Sequence, residues 1–411
     1  MSNQVDLILR NVRIDDQQPL VDVAIKEGYI TAIESNSPLR AKESIEGEGH
    51  ILIPSFVESH LHLEKAFVMD RKANRSGTLQ EAIAVTAELK PTFTAEDIMA
   101  RSRAVIRTLI QNGSTYVRAH AEFDPGQGFT GFDAVMQLKE EFKGLIDIQV
   151  VAFPQEGIFK YPGTAEMMVE AMEKGADVVG GIPYNDRDAK EHIDFVFDLA
   201  ERFNKDIDLH QDFSDSAENM SIEYVAQKTI EKGWQGRVSV GHLTSLGAAT
   251  PERQQEIIRL LKEAEISVMC LPATDLHLGA RKDESNVRRS LTPVRLLRDA
   301  GVNVCLATNN IRNAFTPFGT GNLLHISMLA IPAAHLGGAD DQATVLPMLT
   351  YNPAKAMNLK DYGLAVGKKA DLVLLNTQKL SDVILDIPAA LKVIKGGKVI
   401  AETVVSQTIG F

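Results

Sequence analysis

Cysteine is nearly absent. The 411 residues carry two, Cys270 and Cys305, and neither sits in a paired motif. That excludes a disulfide scaffold and a cysteine-rich zinc site, and it fits a reducing, cytoplasmic setting. Positive charge is also in deficit: 43 Lys and Arg stand against 55 Asp and Glu, a formal charge of −12. A phosphate-binding surface needs clustered cations, so no nucleic-acid partner is expected. No apolar run approaches the roughly 20 residues of a membrane span. The opening "MSNQVDLILR" lacks the basic start and long apolar stretch of a signal peptide. The single tryptophan, Trp234, follows a helical stretch and is expected to pack there.

What is present is an ordinary globular composition, 44% hydrophobic and 24% charged. The length suits one large unit plus a smaller one. Both ends read as short strands. "DLILRNVRI", "DVAIKEGYITAI" and "IEGEGHILIP" open the chain; "ADLVLLN" and "KVIKGGKVIAETV" close it, the last as a hairpin turning on Gly396-Gly397. Between them, apolar strand-like runs alternate with amphipathic helical periods, each run ending in polar residues: "STYVRAHAEF", "IDIQVVAFPQ", "ADVVGGIPYN", "DIDLHQDF", "RVSVGHLTSL", "ISVMCLPATDL" and "VNVCLATNN". With the strand that ends at His60 this makes eight. The expectation is an α/β fold: a (β/α)₈ TIM-type barrel over residues 55–355, with a small β-sandwich domain built from residues 1–54 and 356–411.

His60 and His62, in "ESHLHLEK", are two apart, so on a strand both point to one face. Two imidazoles so placed can chelate one cation. His210 and His242 end two further strands, and would share the same barrel mouth. His120 and Glu122 alternate on the second strand, either as a site pair or as a hydrogen-bonded structural pair. Glu64 and Lys65 directly follow the histidine pair and read, from the residues alone, as an exposed ion pair. His50, His192, His325 and His335 have no strand-end partners and are read as structural. The "PFGTGN" glycines Gly319 and Gly321 lack a following Lys and read as a turn.

The run "ILIPSFVESHLHLEK", the strand-end histidines and the closing "YGLAVGKKADLVLLN" resemble the amidohydrolase superfamily. "DIQVVAFPQEG", "GADVVGGIP" and "GVNVCLATNNIRNAFTPFGTGN" resemble its cytosine deaminase-like branch, close to the aminohydrolases of triazine rings. The resemblance runs from about Asp6 to Ile400. It implies a hydrolase of C–N bonds that deaminates a small aminopyrimidine- or aminotriazine-like heterocycle, assembled as a homo-oligomer. One divalent metal ion, zinc or iron with manganese as an alternative, would be held by His60, His62, His210 and a residue ending strand eight, here Asn309. His242 would orient or polarise the attacking water, Gln155 would hydrogen-bond the ring, and Glu64 would lie near the substrate. No lysine ends strand four, which favours one metal over a lysine-bridged pair. The "PCxxC" pattern of the other deaminase type is missing.

Two positions depart from that pattern. Asn309 stands where the family has an aspartate, and an amide cannot accept a proton at neutral pH. Phe213 stands where cytosine deaminases carry a glutamate, three residues after the strand-five histidine. Three readings follow. The acid/base groups are rearranged, with Asp212, Asp215 or Asp275 acting with His242; or the protein binds a heterocycle without turnover; or Asn309 is an introduced substitution. Asp275 and His277 follow strand seven and are placed near the mouth. His120, Phe213 and Asp275 join Gln155 and Glu64 as candidate substrate contacts, and His242, Asn309 and Asp212 as candidate catalytic groups.

Overall fold

The computed structural model describes residues 4–410. Residues 1–3 and 411, counted in the expected terminal unit, lie outside that range. Eight parallel strands form one sheet in chain order: Phe56–Leu61, Ser114–Glu122, Asp147–Phe153, Val178–Gly181, Asp206–Gln211, Val238–His242, Ser267–Cys270 and Val304–Leu306. The sheet closes where Leu61 bridges Asn309, with the Asn309 amide donating to His60 O (2.8 Å) and the His62 amide to Asn309 O (2.9 Å). Strand two is buried along its whole length, polar residues included, because helices cover one face and the barrel interior the other.

The covering helices form for local reasons. In Ala95–Gln111, Thr94 caps the start by accepting from the Asp97 amide, Glu96 and Asp97 suit the positive end, and Ile98, Val105, Ile106 and Leu109 make the buried stripe. In Ala189–Phe203, Asp188 caps the start and Asn204 ends the helix in the left-handed conformation. One expectation changes. The run "ISVMCLPATDL" is a strand only to Cys270, because Pro272 opens a helix, Pro272–Leu278. Asp275 and His277, expected after strand seven, sit on that helix.

Both termini build two four-stranded sheets. Spatial order is Tyr29–Glu34, Val21–Lys26, Gln4–Val12, Arg40–Glu46 in one, and Lys398–Glu402, Ala390–Lys395, Leu372–Leu375, Ile51–Pro54 in the other. Leu7, Leu9, Val23 and Ile25 of the first pack on Leu372, Leu374 and Ile394 of the second, making a sandwich core. The stretch "IEGEGHILIP" is split between the sheets. Its first part ends Arg40–Glu46, and Ile51–Pro54 crosses to pair with Leu372–Leu375. The hairpin at Gly396-Gly397 has both glycines at positive φ (53° and 74°), the geometry a two-residue turn requires.

A buried polar knot ties the second terminal sheet to the barrel. Lys395 Nζ donates to Asp371 Oδ2 (3.0 Å) and Asp147 Oδ2 (2.8 Å) and lies 3.7 Å over the Tyr116 ring. The Tyr116 hydroxyl also donates to Asp371. Asp371→Ala leaves the buried Tyr116 phenol without its acceptor and the Lys395 ammonium with Asp147 as its one carboxylate, and is expected to cost about 3 kcal/mol in urea unfolding; a loss within about 0.5 kcal/mol, the range of ordinary surface changes, would show the knot to be dispensable.

Candidate active site

The histidines gather at the C-terminal ends of the barrel strands. His60 lies on strand one and His62 just past it, His210 on strand five, and His242 ends strand six. His210 Nε2 stands 3.2 Å from His60 Nε2 and 3.0 Å from His62 Nε2. A ring nitrogen of His242 comes within 4.8 Å of His60 and His210 ligand atoms. Burial, reinforced by neighbouring cationic side chains and other imidazoles, holds His60, His62 and His210 well below the ordinary imidazole pKa, so they are neutral. Asn309 Oδ1 is buried with no hydrogen-bond partner. Neutral imidazoles converging at this spacing, about the ligand–ligand edge of a tetrahedron with 2.0–2.1 Å bonds, fit a divalent cation. The orphaned amide oxygen fits a fourth ligand.

Carboxylates stand behind these rings. Asp208 Oδ1 is 3.8 Å from His60 Nδ1, and Glu64 Oε1 is 3.8 Å from His62 Nδ1. Such backing orients metal-binding imidazoles. Burial raises the Asp208 carboxyl to about 6 despite the Arg118 guanidinium, which donates to its Oδ2 at 2.7 Å. Burial raises Glu64 as well, to about 8, with the neighbouring Glu122 charge adding to it. Glu122 goes the other way: against the same burial, the Lys65 and Lys90 ammoniums hold it at about 2. His242 Nδ1 lies 2.6 Å from Asp275 Oδ1, and Phe213 stacks flat on the His242 ring at 4.3 Å and 12°. Gly241, just before it, has no room for a side chain, since a Cβ there would stand 2.8 Å from His60 Cε1.

A small cavity of about 20 Å³ lies at these groups, lined by His62, Lys65, Gln155, His210, Phe213, His242, Asn309 and Asn310, and also by Leu79, Ile83 and Phe315. Of the candidate substrate contacts, Gln155 and Phe213 line it. Glu64 is turned behind His62, Asp275 behind His242, and His120 packs under His60 with ring centres 3.9 Å apart. Asp212 turns away. Its backbone is left-handed (φ 45°), and its carboxylate accepts from the Ser221 and Ile222 amides, capping the helix Ile222–Glu231. Asp215 accepts from the Ala280 amide and Ser290 hydroxyl, and His277 lies against Arg281. A larger cavity of about 400 Å³ lies elsewhere, between Leu52–Pro54 and residues 339–351, and holds none of these histidines.

The profile of the amidohydrolase family matches residues 43–401. The chain belongs to that family. It is therefore a hydrolase of C–N bonds on a metal-dependent fold. The N-isopropylammelide isopropyl amidohydrolase of Pseudomonas sp. (strain ADP) is 31% identical over 98% of this chain and 98% of its own length. The pterin deaminase of Rhizobium rhizogenes is 27% identical over 92% of this chain and 87% of its own. The crystal structure of 5-methylcytosine deaminase from Klebsiella pneumoniae liganded with phosphonocytosine superposes with a TM-score of 0.93 at 33% identity, covering 98% of this chain and 100% of that one.

In this amidohydrolase, sequence reasoning passed over Lys65, Asn310 and Tyr184 as cavity residues. Lys65, which in the sequence reads as half of an exposed ion pair, is buried, pairing with Glu122 and donating to Gln155 Oε1 at 2.9 Å. Its adjacency to the "HLHLE" ligand run was the available signal. His210→Ala is expected to lose most of the bound divalent metal in elemental analysis of the purified protein. Asp212→Ala should keep the wild-type content and lose about 1 kcal/mol of stability with its helix cap; metal loss in both variants would place Asp212 at the metal. Gly241→Ala should push the His60 ring aside and weaken metal retention, read by chelator titration, and unchanged retention would show that His60 has slack.

Proposed function

We propose that the protein is a cytoplasmic deaminase of a small aminopyrimidine- or aminotriazine-like heterocycle. The observation that carries this reading is the convergence of three neutral imidazole nitrogens beside a fourth histidine backed by Asp275, all under a cavity that Gln155 also lines. The names of the relatives, which concern ammelide, pterin and methylcytosine, support a planar nitrogen ring. The barrel would be residues 55–355, and the terminal β domain residues 1–54 with 356–411; the strand pairing of Ile51–Pro54 with Leu372–Leu375 supports that division.

A zinc, iron or manganese ion held by His60, His62, His210 and the Asn309 carbonyl would supply a Lewis acid able to bring a water's pKa down to about 7. The chain's own residues do the rest. Asp275 Oδ1 accepts from His242 Nδ1–H, which leaves the His242 Nε2 lone pair free to take a proton. His242 holds that proton and returns it to the amino nitrogen as the C–N bond breaks. Phe213 keeps the His242 ring in plane by stacking on it. Gln155 hydrogen-bonds the heterocycle. Leu79 and Ile83 also line the cavity, which at about 20 Å³ holds roughly one water.

This assignment makes the proton acceptor independent of Asn309. The binding-only alternative rests on Asn309 and Phe213, and the His242–Asp275 pair supports turnover by offering a base. Ammonia or amine release from a panel of aminopyrimidines and aminotriazines tests the reading, and a metal-loaded protein releasing none would sink it. His242→Ala is expected to lower kcat by about 10²–10⁴, and Asp275→Ala by about 10–100-fold. Asn309→Asp should change kcat by less than general-base catalysis is worth, under about 10²; a larger rise would mark the natural site as impaired.

A further inference from the structure

We propose that His192 is a positioning residue for the catalytic cavity: through Asp186 it clamps the loop after strand three, which carries Gln155, to the turn after strand four, which carries Tyr184. What the clamped loop does for a substrate rests on the heterocycle-deaminase reading; the clamp itself does not. His192 does not line the cavity, and from the residues alone it reads as structural.

The His192 side chain is fully buried on the helix Ala189–Phe203. Its Nε2 accepts from the Ile182 amide at 2.9 Å, and an amide can only donate. The ring proton therefore sits on Nδ1, which donates to Asp186 Oδ2 at 2.7 Å. Gly181 makes room for this arrangement, since a Cβ there would stand 2.6 Å from His192 Nε2. The Asp186 carboxylate is buried as fully and is met by three main-chain amides besides. Ile158 donates to Oδ2 at 2.6 Å, Phe159 to Oδ2 and Oδ1 at 3.0 and 3.1 Å, and Arg187 to Oδ1 at 2.8 Å. Against burial, these donors hold the carboxyl well below the ordinary carboxylate range, so it is ionised.

Two of those amides belong to the strand-three loop. Gln155 stands three residues before Ile158, and its main-chain carbonyl accepts from Asn185 Nδ2 at 2.8 Å. Asn185 and Asp186 thus hold both ends of residues 155–159. The loops meet at Gly157, where φ is +89° and a Cβ would stand 3.0 Å from Asn185 O and 3.1 Å from Asp186 Cγ. Gln155 and Tyr184 both line the catalytic cavity. One imidazole outside the cavity therefore sets two side chains on its wall, where a displacement of about 1 Å can cost about 10²-fold in rate.

The test separates the two ring nitrogens. His192→Asn keeps an N–H at the Nδ1 position for Asp186 and leaves the Ile182 amide unmet. His192→Gln keeps an acceptor for that amide and takes the donor from Asp186. Each loses the ring and one hydrogen bond, so a merely structural role makes the two behave alike. Metal-loaded, full-length protein is assayed on whichever aminopyrimidine or aminotriazine of the panel releases ammonia fastest, and hydrogen exchange over residues 154–160 is followed by mass spectrometry. His192→Gln is expected to raise KM about tenfold with kcat within about threefold, and to speed that exchange about tenfold, as losing a hydrogen bond to a charged group implies. His192→Asn is expected to stay within about threefold of wild type in both. Gly157→Ala forces the loops apart without touching the imidazole and is expected to raise KM about tenfold as well, so it carries the test if His192→Gln does not fold. Equal KM and equal exchange in His192→Asn and His192→Gln overturn the clamp. So does metal loss from His192→Gln in elemental analysis, which would place its effect at the metal-binding histidines. If no ring of the panel releases ammonia, the deaminase reading falls and the exchange rates alone decide the clamp.

Discussion

The first and last barrel strands meet through a pair of backbone hydrogen bonds, Asn309 N to His60 O and His62 N to Asn309 O. Much else depends on that closure. It brings residues about 250 positions apart to one point and sets the side chain of Asn309 beside the two histidines of the opening strand. Glu58 reinforces the seam from within, accepting from the Thr308 amide and hydroxyl and from the His60 amide. Burial raises that carboxyl to about 7, against the pull of the hydrogen bonds it accepts from Thr308 and His60.

Beside the seam, buried cations are paired with carboxylates, the general condition for burying charge at all. Arg118 meets Asp208 under the histidines, and Lys65 and Lys90 share Glu122 beside them. The site also holds strain. His242 and Asn309 both adopt positive φ (70° and 64°), conformations that asparagine and histidine reach more readily than most residues. The turn at His242 carries its ring between Asp275 and Phe213; the turn at Asp212 spends its carboxylate on a helix start. Asp275 and Asp212, acids that follow two different strands, thus do unrelated work, one behind a histidine and one as a cap.

Legibility varied with the range of the interaction involved. The helices and barrel strands were readable because their burial is periodic, and the "KVIKGGKVI" hairpin because two glycines permit a turn other residues resist. The histidine quartet was readable because polar residues ending apolar runs share one rim of a barrel. Side-chain direction after a strand ends was not. Glu64, His120 and Asp275 belong to the same cluster as the cavity residues yet face the backs of histidines, since each direction depends on a local turn or on the rings already occupying the space. Lys65 was missed for the complementary reason: a lysine next to a glutamate reads as surface until a second, distant glutamate is folded against it.

By itself, the sequence determined the alternation of strands and helices, the composition of the core and the residue types gathered at the strand ends, because these follow from hydrophobic periodicity and local backbone preference. It also determined that Asn309 carries no base, since that is a property of the amide. The tertiary structure decided which group can take the proton instead. His242 gains that role from Asp275, thirty-three residues further on, and only the helix Pro272–Leu278 that follows strand seven brings the two within 2.6 Å. The orientation of Gln155 was decided in the same way, by a lysine that lies beside it only once the barrel is folded.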